Sequence, residues 1–357
     1  MNVLYYTNDP VVVKLFKEHF SPDINITEDI DYYKNQDADV KIAYCNERFI
    51  GKIIENKKIA RELSPISKLV IFELGEMMYT EVIDKTISDN VYYVVPGFLN
   101  TYNPNQFIFL PNFFIEMKHF YLNNLSFVLD ELDPHSPKQY YFDALLGTKK
   151  THRDLIYNSI VNFNLQDKIL LNYTGTRNNY LAKNEDYFWE PGTTDNKTIS
   201  YSGHYVKFHN LNMPASSVLP VHSVYNKSCY SIVAETAYEP GSPVFFTEKI
   251  VKPILARRLF VVFSTKNYLK KLQEIGFKTF NSVIDETYDS IDNDLERWLV
   301  AFEQIVYLCS QDQHTVLEKI KSIVDHNYRV LLKTDWRQQA ETKLFKLIES
   351  TIGSCYN

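Results

Sequence analysis

The chain has 357 residues, 45% of them apolar, and a net charge of −6. That length exceeds what one hydrophobic core usually organises, so two domains are expected, and the charge argues against a surface wholly given to nucleic acid. Tyr (26) and Phe (23) are abundant while Gly (10) is scarce, which suits packed α/β layers rather than low-complexity chain.

The opening "MNVLYYTNDP" lacks the basic flank and long apolar core of a signal peptide, and nowhere does an uncharged apolar run reach the roughly 18 residues of a membrane span. A cytoplasmic location is expected. Asn2 to Thr7 reads as a strand, and Asn8-Asp9-Pro10 as a helix entry, with helical periodicity from Val11 to Phe20. Short β-branched or aromatic runs follow in "DVKIAYCN" from Asp39, "KLVIFELGE" from Lys68, "VYYVVPGF" from Val91 and "QFIFLPNFF" from Gln106. Helical stretches such as Arg48 to Leu63 lie between some of them. This alternation predicts a mostly parallel, helix-covered sheet.

"DELDPHSPKQ", Asp130 to Gln139, breaks the pattern with two prolines and no period. It restarts as a strand in "YYFDALLG", a helix in "THRDLIYNSIVNF" and a strand in "DKILLNYTG". Residues 176–217 are polar, aromatic and irregular; "NNYLAKNEDYFWEPG" within them could stack a base or sugar ring, or simply cover a core. "SCYSIVAET" and "RRLFVVFS" read as two further strands, and long helical patterns run from Asp294 to the end. No repeat of fixed period is present. The expected organisation is a first α/β domain over 1–130, a second over 140–333, and a helix over 334–357 that returns to the first. The scattered cysteines Cys45, Cys229, Cys309 and Cys355 show neither zinc nor disulfide spacing.

Chemistry concentrates at "SIVAETAYEPGSPVFFTEKIVKPILARRLFVVFS", 231–264. An apolar strand ends in Glu235; after a Pro- and Gly-containing loop, Thr247 can cap a helix that opens with Glu248 and Lys249. The helix dipole favours Glu248 there and disfavours Lys249, so a cation at that place makes sense where an anion comes to meet it. Lys249 and the helix amides suit a phosphate. Glu248 can accept two hydroxyls of a ribose, and Arg153, in the strand-to-helix turn "LLGTKKTHRD", offers a planar fork for phosphate oxygens. Spacing alone also allows a solvated helix start, with Arg153 paired to Asp154 or Glu235. No Gly-rich phosphate loop occurs.

The segment 231–264 resembles the donor-binding signature of the α1,3-fucosyltransferase-like glycosyltransferases: a strand ending in a carboxylate, a loop, Thr/Ser-Glu-Lys opening a helix, then a strand. "LLGTKKTHRDLI" is similar to the family's basic segment before a helix, and "LQEIGFKTFNSVIDETYDSIDNDLERW" resembles a tail of related phage and giant-virus glycosyltransferases. The likeness covers roughly 140–300. It implies a GT-B fold, two Rossmann-like α/β domains facing a cleft, with a nucleotide-diphosphate sugar as donor substrate bound by the second. Carried over, Glu248 matches the ribose carboxylate, Lys249 and Arg153 the phosphate-binding cations, and Glu235 the strand-end carboxylate. Thr236-Ala237 stands where the family often has Asn-Ser, and the loop is longer.

The implied activity is metal-independent transfer of a sugar to a hydroxyl acceptor, either a glycan or a hydroxymethylated base in viral DNA, in the host cytoplasm if the protein is viral. No cofactor is expected, nor a metal: "IDETYDSIDND", 284–294, lacks the glycine turn and closing Glu of an EF-hand and reads as a solvated turn and helix cap. A catalytically silent nucleotide-binding or scaffold protein on the same fold is the alternative; a GT-B phosphorylase is a third. A catalytic base is expected at first-domain strand ends: Glu73 first, then Glu76 and Asp9, with helix capping as the rival role of Asp9.

Overall fold

The computed structural model describes residues 2–21, 23–46, 58–59, 61–73, 89–98, 106–120, 122, 132–147, 149–173, 201–202, 205–208, 211–214, 222–239 and 241–354. Its contacts divide the chain into two units, Met1–Asn112 with Asp335–Asn357, and Phe113–Thr334.

The first unit is built on β1 (Val3–Thr7), β2 (Asn25–Thr27), β3 (Val40–Asn46), β4 (Leu69–Glu73), β5 (Val91–Val95) and β6 (Phe107–Phe109), joined in the order β2-β1-β3-β4-β5-β6. Every pairing is parallel. Runs such as "LVIFE" and "VYYVV" lack polar alternation because helices cover a parallel sheet on both faces. α1 (Pro10–His19) starts where Asp9 accepts the Val11 amide and Pro10 supplies a preset φ; it buries Val12 and Phe16. α2 (Ile30–Asn35) is capped by Asp29.

α3 (Asn112–Phe120), in the second unit but for its first residue, is continuous with "QFIFLP": the run expected as one strand turns helical beyond Pro111. Phe114 of α3 stacks on Phe246 at 5.6 Å and meets Phe277 edge-on at 5.5 Å. The second sheet has β7 (Tyr140–Leu145), β8 (Ile169–Asn172), β9 (Ser228–Ala234) and β10 (Phe260–Phe263) in the order β10-β9-β7-β8, all parallel. Its helices are α4 (Thr151–Asn162), α5 (Glu248–Leu255), α6 (Tyr268–Glu274), α7 (Asp294–Leu308) and α8 (Gln313–Lys333).

The chain's last helix, α9 (Trp336–Gly353), packs in the first unit. It buries Ala340, Leu344, Phe345 and Ile348 in one core cluster with Tyr5, Phe16, Ile42 and Ile71, and Phe345 stacks on His19 at 3.6 Å. Among the described residues no helix is long and apolar enough to cross a membrane.

Each of the two larger, parallel sheets thus reverses its strand order beside its first strand, between β1 and β3 in one unit and between β7 and β9 in the other. In open α/β sheets the loops at the carboxyl ends of such a strand pair diverge to opposite faces, and the gap between them is where ligands bind.

Beneath that gap in the second unit lies a buried ion pair. Asp143 of β7 and Arg258, just before β10, approach to 2.9 Å with side chains 3% exposed. Ser228 and Ser231 donate to the same carboxylate oxygen, and Arg258 also donates to the carbonyls of Tyr225 and Tyr230. The pair ties the first, third and fourth strands of the sheet together, but desolvation offsets most of its attraction. Its removal is therefore asymmetric. Arg258→Met strands a buried carboxylate and should cost about 3–5 kcal/mol in urea unfolding, whereas Asp143→Leu/Arg258→Met should recover much of that loss.

Candidate functional site

The candidate site is built from the two loops that leave β7 and β9. The β7 loop turns at Gly147, whose φ is +58°; a Cβ there would lie 3.4 Å from Nη1 of Arg153. Glycine thus serves the left-handed turn, while a Cβ would meet the guanidinium only at ordinary contact distance. α4 then begins Thr151-His152-Arg153 with Lys150 at the N-cap position, making no side-chain cap. The β9 loop runs from Glu235 to Thr247, where α5 begins.

Glu235 joins the two. It is fully buried, and its carboxylate accepts four hydrogen bonds: from the Thr236 amide (3.2 Å), the Thr247 amide (3.3 Å), the Thr247 hydroxyl (2.5 Å) and the Tyr268 hydroxyl (2.7 Å). Burial pushes its pKa up, against the pull of Lys249 and of the Thr247 and Tyr268 hydroxyls. Four donors fit an acceptor-only carboxylate. Glu235 therefore faces into the fold beneath the helix mouth. Thr247, so fixed, accepts the Lys249 amide as N-cap of α5.

At the mouth, Glu248 and Lys249 pair with each other, 2.6 Å apart, with side chains 13% and 22% exposed. Neither is the solvated group that spacing allowed. Lys249 Nζ also donates to Thr236 Oγ1 at 3.2 Å. Burial raises the Glu248 pKa, but Lys249 and Lys252 together bring it below the ordinary carboxylate value. Arg153 is buried, donates to the Ala234 carbonyl at 3.4 Å, and is attracted by Glu235 and Glu248. Asp154, the other partner weighed for it, accepts from the Tyr173 hydroxyl.

Two neighbours were not placed in the donor site from sequence. Lys150 Nζ donates to the Thr236 carbonyl at 2.9 Å and lies 5.1 Å from the Tyr238 ring centroid. Burial, then Arg153 and Lys249, lower its pKa, so three cations share one field. His152 has no exposed surface; its Nε2 meets the Glu235 carbonyl at 3.0 Å and its ring stacks on Tyr238 at 4.2 Å. Burial and the adjacent Arg153 and Lys150 push its pKa down to about 3, so it is neutral, with Nε2–H donating. The cluster "KKTHR" was the only sequence sign of this arrangement. Tyr268, from α6, left none.

In the first unit, the carboxyl ends of β1, β3 and β4 bring together Asn8, Asp9, Asn46 and Glu73. Asp9 is buried; one oxygen caps α1 through Val11 (2.8 Å) and the other accepts from Asn46 Nδ2 (2.8 Å). Glu73, which pairs in register with Asn46, is half-buried and accepts from the Tyr44 hydroxyl. Glu76 lies outside the described residues.

The acidic stretch 284–294 is more structural than solvated. Asp289 is buried and accepts the amides of Leu269 and Lys270, capping α6; Asn293 caps α7. Among the described residues no cluster of metal-ligating side chains occurs. Glu286 accepts from Thr279 Oγ1 and the Phe280 amide, beside a groove of about 1070 Å³ also lined by Lys270, Tyr307 and Lys319. Burial raises its pKa from 4.5 to about 7.

No protein-family model and no curated protein matches the chain. Similar solved structures include crystal structures of α1,3-fucosyltransferase with GDP and with GDP-fucose. Each has 11% identity and a TM-score of 0.35, covering 93% of this chain and 91% or 90% of its own. A third, of α1,3-fucosyltransferase, has 14% identity and a TM-score of 0.33, covering 91% of this chain and 90% of its own.

Glu286 gives a test of the electrostatics. Its folded pKa lies above its unfolded value, so the folded state holds the extra proton between 4.5 and about 7. Stability from this group is full below that window and falls as pH rises through it. In urea unfolding at about pH 5 and about pH 8, Glu286→Gln should reduce the difference between the two relative to wild type.

Proposed function

We propose that the protein is a GT-B glycosyltransferase that moves a sugar from a nucleotide-diphosphate donor to a hydroxyl acceptor. One observation carries the reading: at the strand-order reversal of the second unit, Lys150, Arg153 and Lys249 share a field beside Glu248 at a helix N-terminus. Cations and helix amides recognise a diphosphate, and an ionised carboxylate accepts the two hydroxyls of a ribose. The resemblance of 231–264 to the fucosyltransferase-like donor signature supports the same assignment of Arg153, Glu248 and Lys249. Glu235 supports the donor site from below.

In the reaction, the acceptor oxygen attacks the anomeric carbon, the bond from that carbon to the diphosphate breaks, and the acceptor proton goes to a base. The leaving diphosphate gains charge as the bond breaks, and preorganised cations stabilise that charge most where water is excluded. This is the work a divalent metal does in other transferases, and here we assign it to Lys150, Arg153 and Lys249. The base is assigned to the first unit. We place it at Glu73, half-buried at a strand end beside the Tyr44 hydroxyl, because both oxygens of Asp9 are committed to helix cap and amide. The described strand ends there present the amides of Asn8 and Asn46 and the carboxylates of Asp9 and Glu73. That chemistry favours a polyol acceptor such as a glycan over a polyphosphate such as duplex DNA.

Two measurements test the reading. Lys249→Ala and Arg153→Ala should each weaken nucleoside-diphosphate binding by about 1.5–3 kcal/mol, read by calorimetry, because each removes charge-assisted bonds. Wild-type affinity in both folded variants would remove the donor site. Glu73→Gln should keep donor affinity and lose turnover by about 10²–10⁴-fold, the usual worth of general-base catalysis. Full turnover in that variant moves the base elsewhere, and no turnover in wild type with any nucleotide sugar favours a silent nucleotide-binding protein.

A further inference from the structure

Lys252 lies one helical turn beyond Glu248 on α5, so their side chains share one face of the helix. It is only 6% exposed, a place lysine takes almost solely when its charge is answered. The charged groups acting on it are Glu248 and Lys249 from α5, Asp143 from β7 and Glu235 beyond β9. α8, packed on α5, buries Leu317, Ile320 and Val324 and no charged side chain. Asp143 is already bound to Arg258, and Glu235 is filled by four donors. Glu248 is the anion that Lys252 is placed to serve.

That service matters because Lys249 has two anions to answer. Here its ammonium sits 2.6 Å from Glu248. A diphosphate that draws Lys249 away leaves Glu248, largely desolvated, without its nearest cation. A desolvated carboxylate without a cation takes up a proton, and the protonated group loses acceptor capacity toward a diol. Ribose and diphosphate would then be held less well together than apart.

We propose that Lys252 is a positioning residue that keeps Glu248 ionised when Lys249 turns to the diphosphate, so that one helix mouth holds both ends of a ribose-diphosphate. The inference rests on the donor-site reading above. It also makes diol recognition dependent on pH. Burial brings Lys252 down to about 8, so its charge is present below that pH and lost above it.

The test uses the full chain with GDP, UDP and ADP, each against its 2′,3′-dideoxy counterpart, which keeps base and phosphates and lacks the diol. Calorimetry should show wild type preferring the ribose form roughly tenfold at about pH 7, with the preference shrinking several-fold by about pH 9. Lys252→Met should lose most of the preference already at about pH 7, while affinity for the dideoxy forms changes little. Lys252→Arg should keep the preference at both pH values, since its charge does not titrate there. Thermal unfolding checks that both variants fold, and if the Met variant does not, the Arg profile decides. A wild-type preference in Lys252→Met, an alkaline decline in Lys252→Arg equal to wild type, or no ribose preference in wild type overturns the inference. Absence of binding by any of the three diphosphates to wild type instead overturns the donor-site reading itself.

Discussion

The second unit's site depends on the hydrogen bonds gathered by Glu235. Its carboxylate takes donors from Thr236, Thr247 and Tyr268; its carbonyl accepts from His152; its amide donates to the Phe263 carbonyl of β10. One residue thus ties β9 and β10 to the first turns of α4, α5 and α6. Leaving any of these buried groups unanswered costs about 1–3 kcal/mol, so the arrangement tends to be kept whole or lost whole. The loop between Glu235 and Thr247 can then vary in length and composition, because the strand end, rather than the loop, fixes where the helix begins.

On this frame the protein keeps like charges close together. Lys150, Arg153 and Lys249 lie near enough for burial and mutual repulsion to lower the pKa of Lys150, and His152 among them stays neutral. In this structure the cations are held by internal acceptors: Lys249 by Glu248 and Thr236, Lys150 by the Thr236 carbonyl. Those bonds hold the side chains in place before a ligand arrives, which lowers the ordering cost of binding. They also compete with the ligand, and a polyanion relieves a repulsion that a neutral molecule leaves untouched. On the donor-site reading proposed above, selectivity for a diphosphate would follow from that difference as much as from any single contact.

Much of the scaffold was legible in the sequence, and the reasons are local. "LVIFE", "VYYVV" and "SCYSIVA" are short, β-branched or aromatic, and bounded by breakers, so they read as buried strands. Asp9-Pro10 and Thr247-Glu248 mark helix starts through capping chemistry that acts over two or three residues. "QFIFLPNFF" misled because three strand residues and a helix share one apolar run, and period cannot separate them. What could not be read was long-range: that Tyr268 reaches Glu235 across 33 residues, that Arg258 meets Asp143 across 115, and that Glu235 points inward. Lys252 shows the limit most clearly, since a lysine in "EKIVKPIL" reads as solvated until the helix face it occupies is known.

The two sheets repeat one topological device with opposite chemistry. Each reverses strand order beside its first strand, so in each the carboxyl ends of two neighbouring strands leave a gap lined by loops. In the second unit that gap is edged by cations and a helix mouth; in the first it is edged by Asn8, Asp9, Asn46 and Glu73. Sheet topology alone would permit a phosphate in either. The described side chains differ between the two: carboxylates repel a diphosphate and accept from hydroxyls, while lysines and arginine attract one and donate.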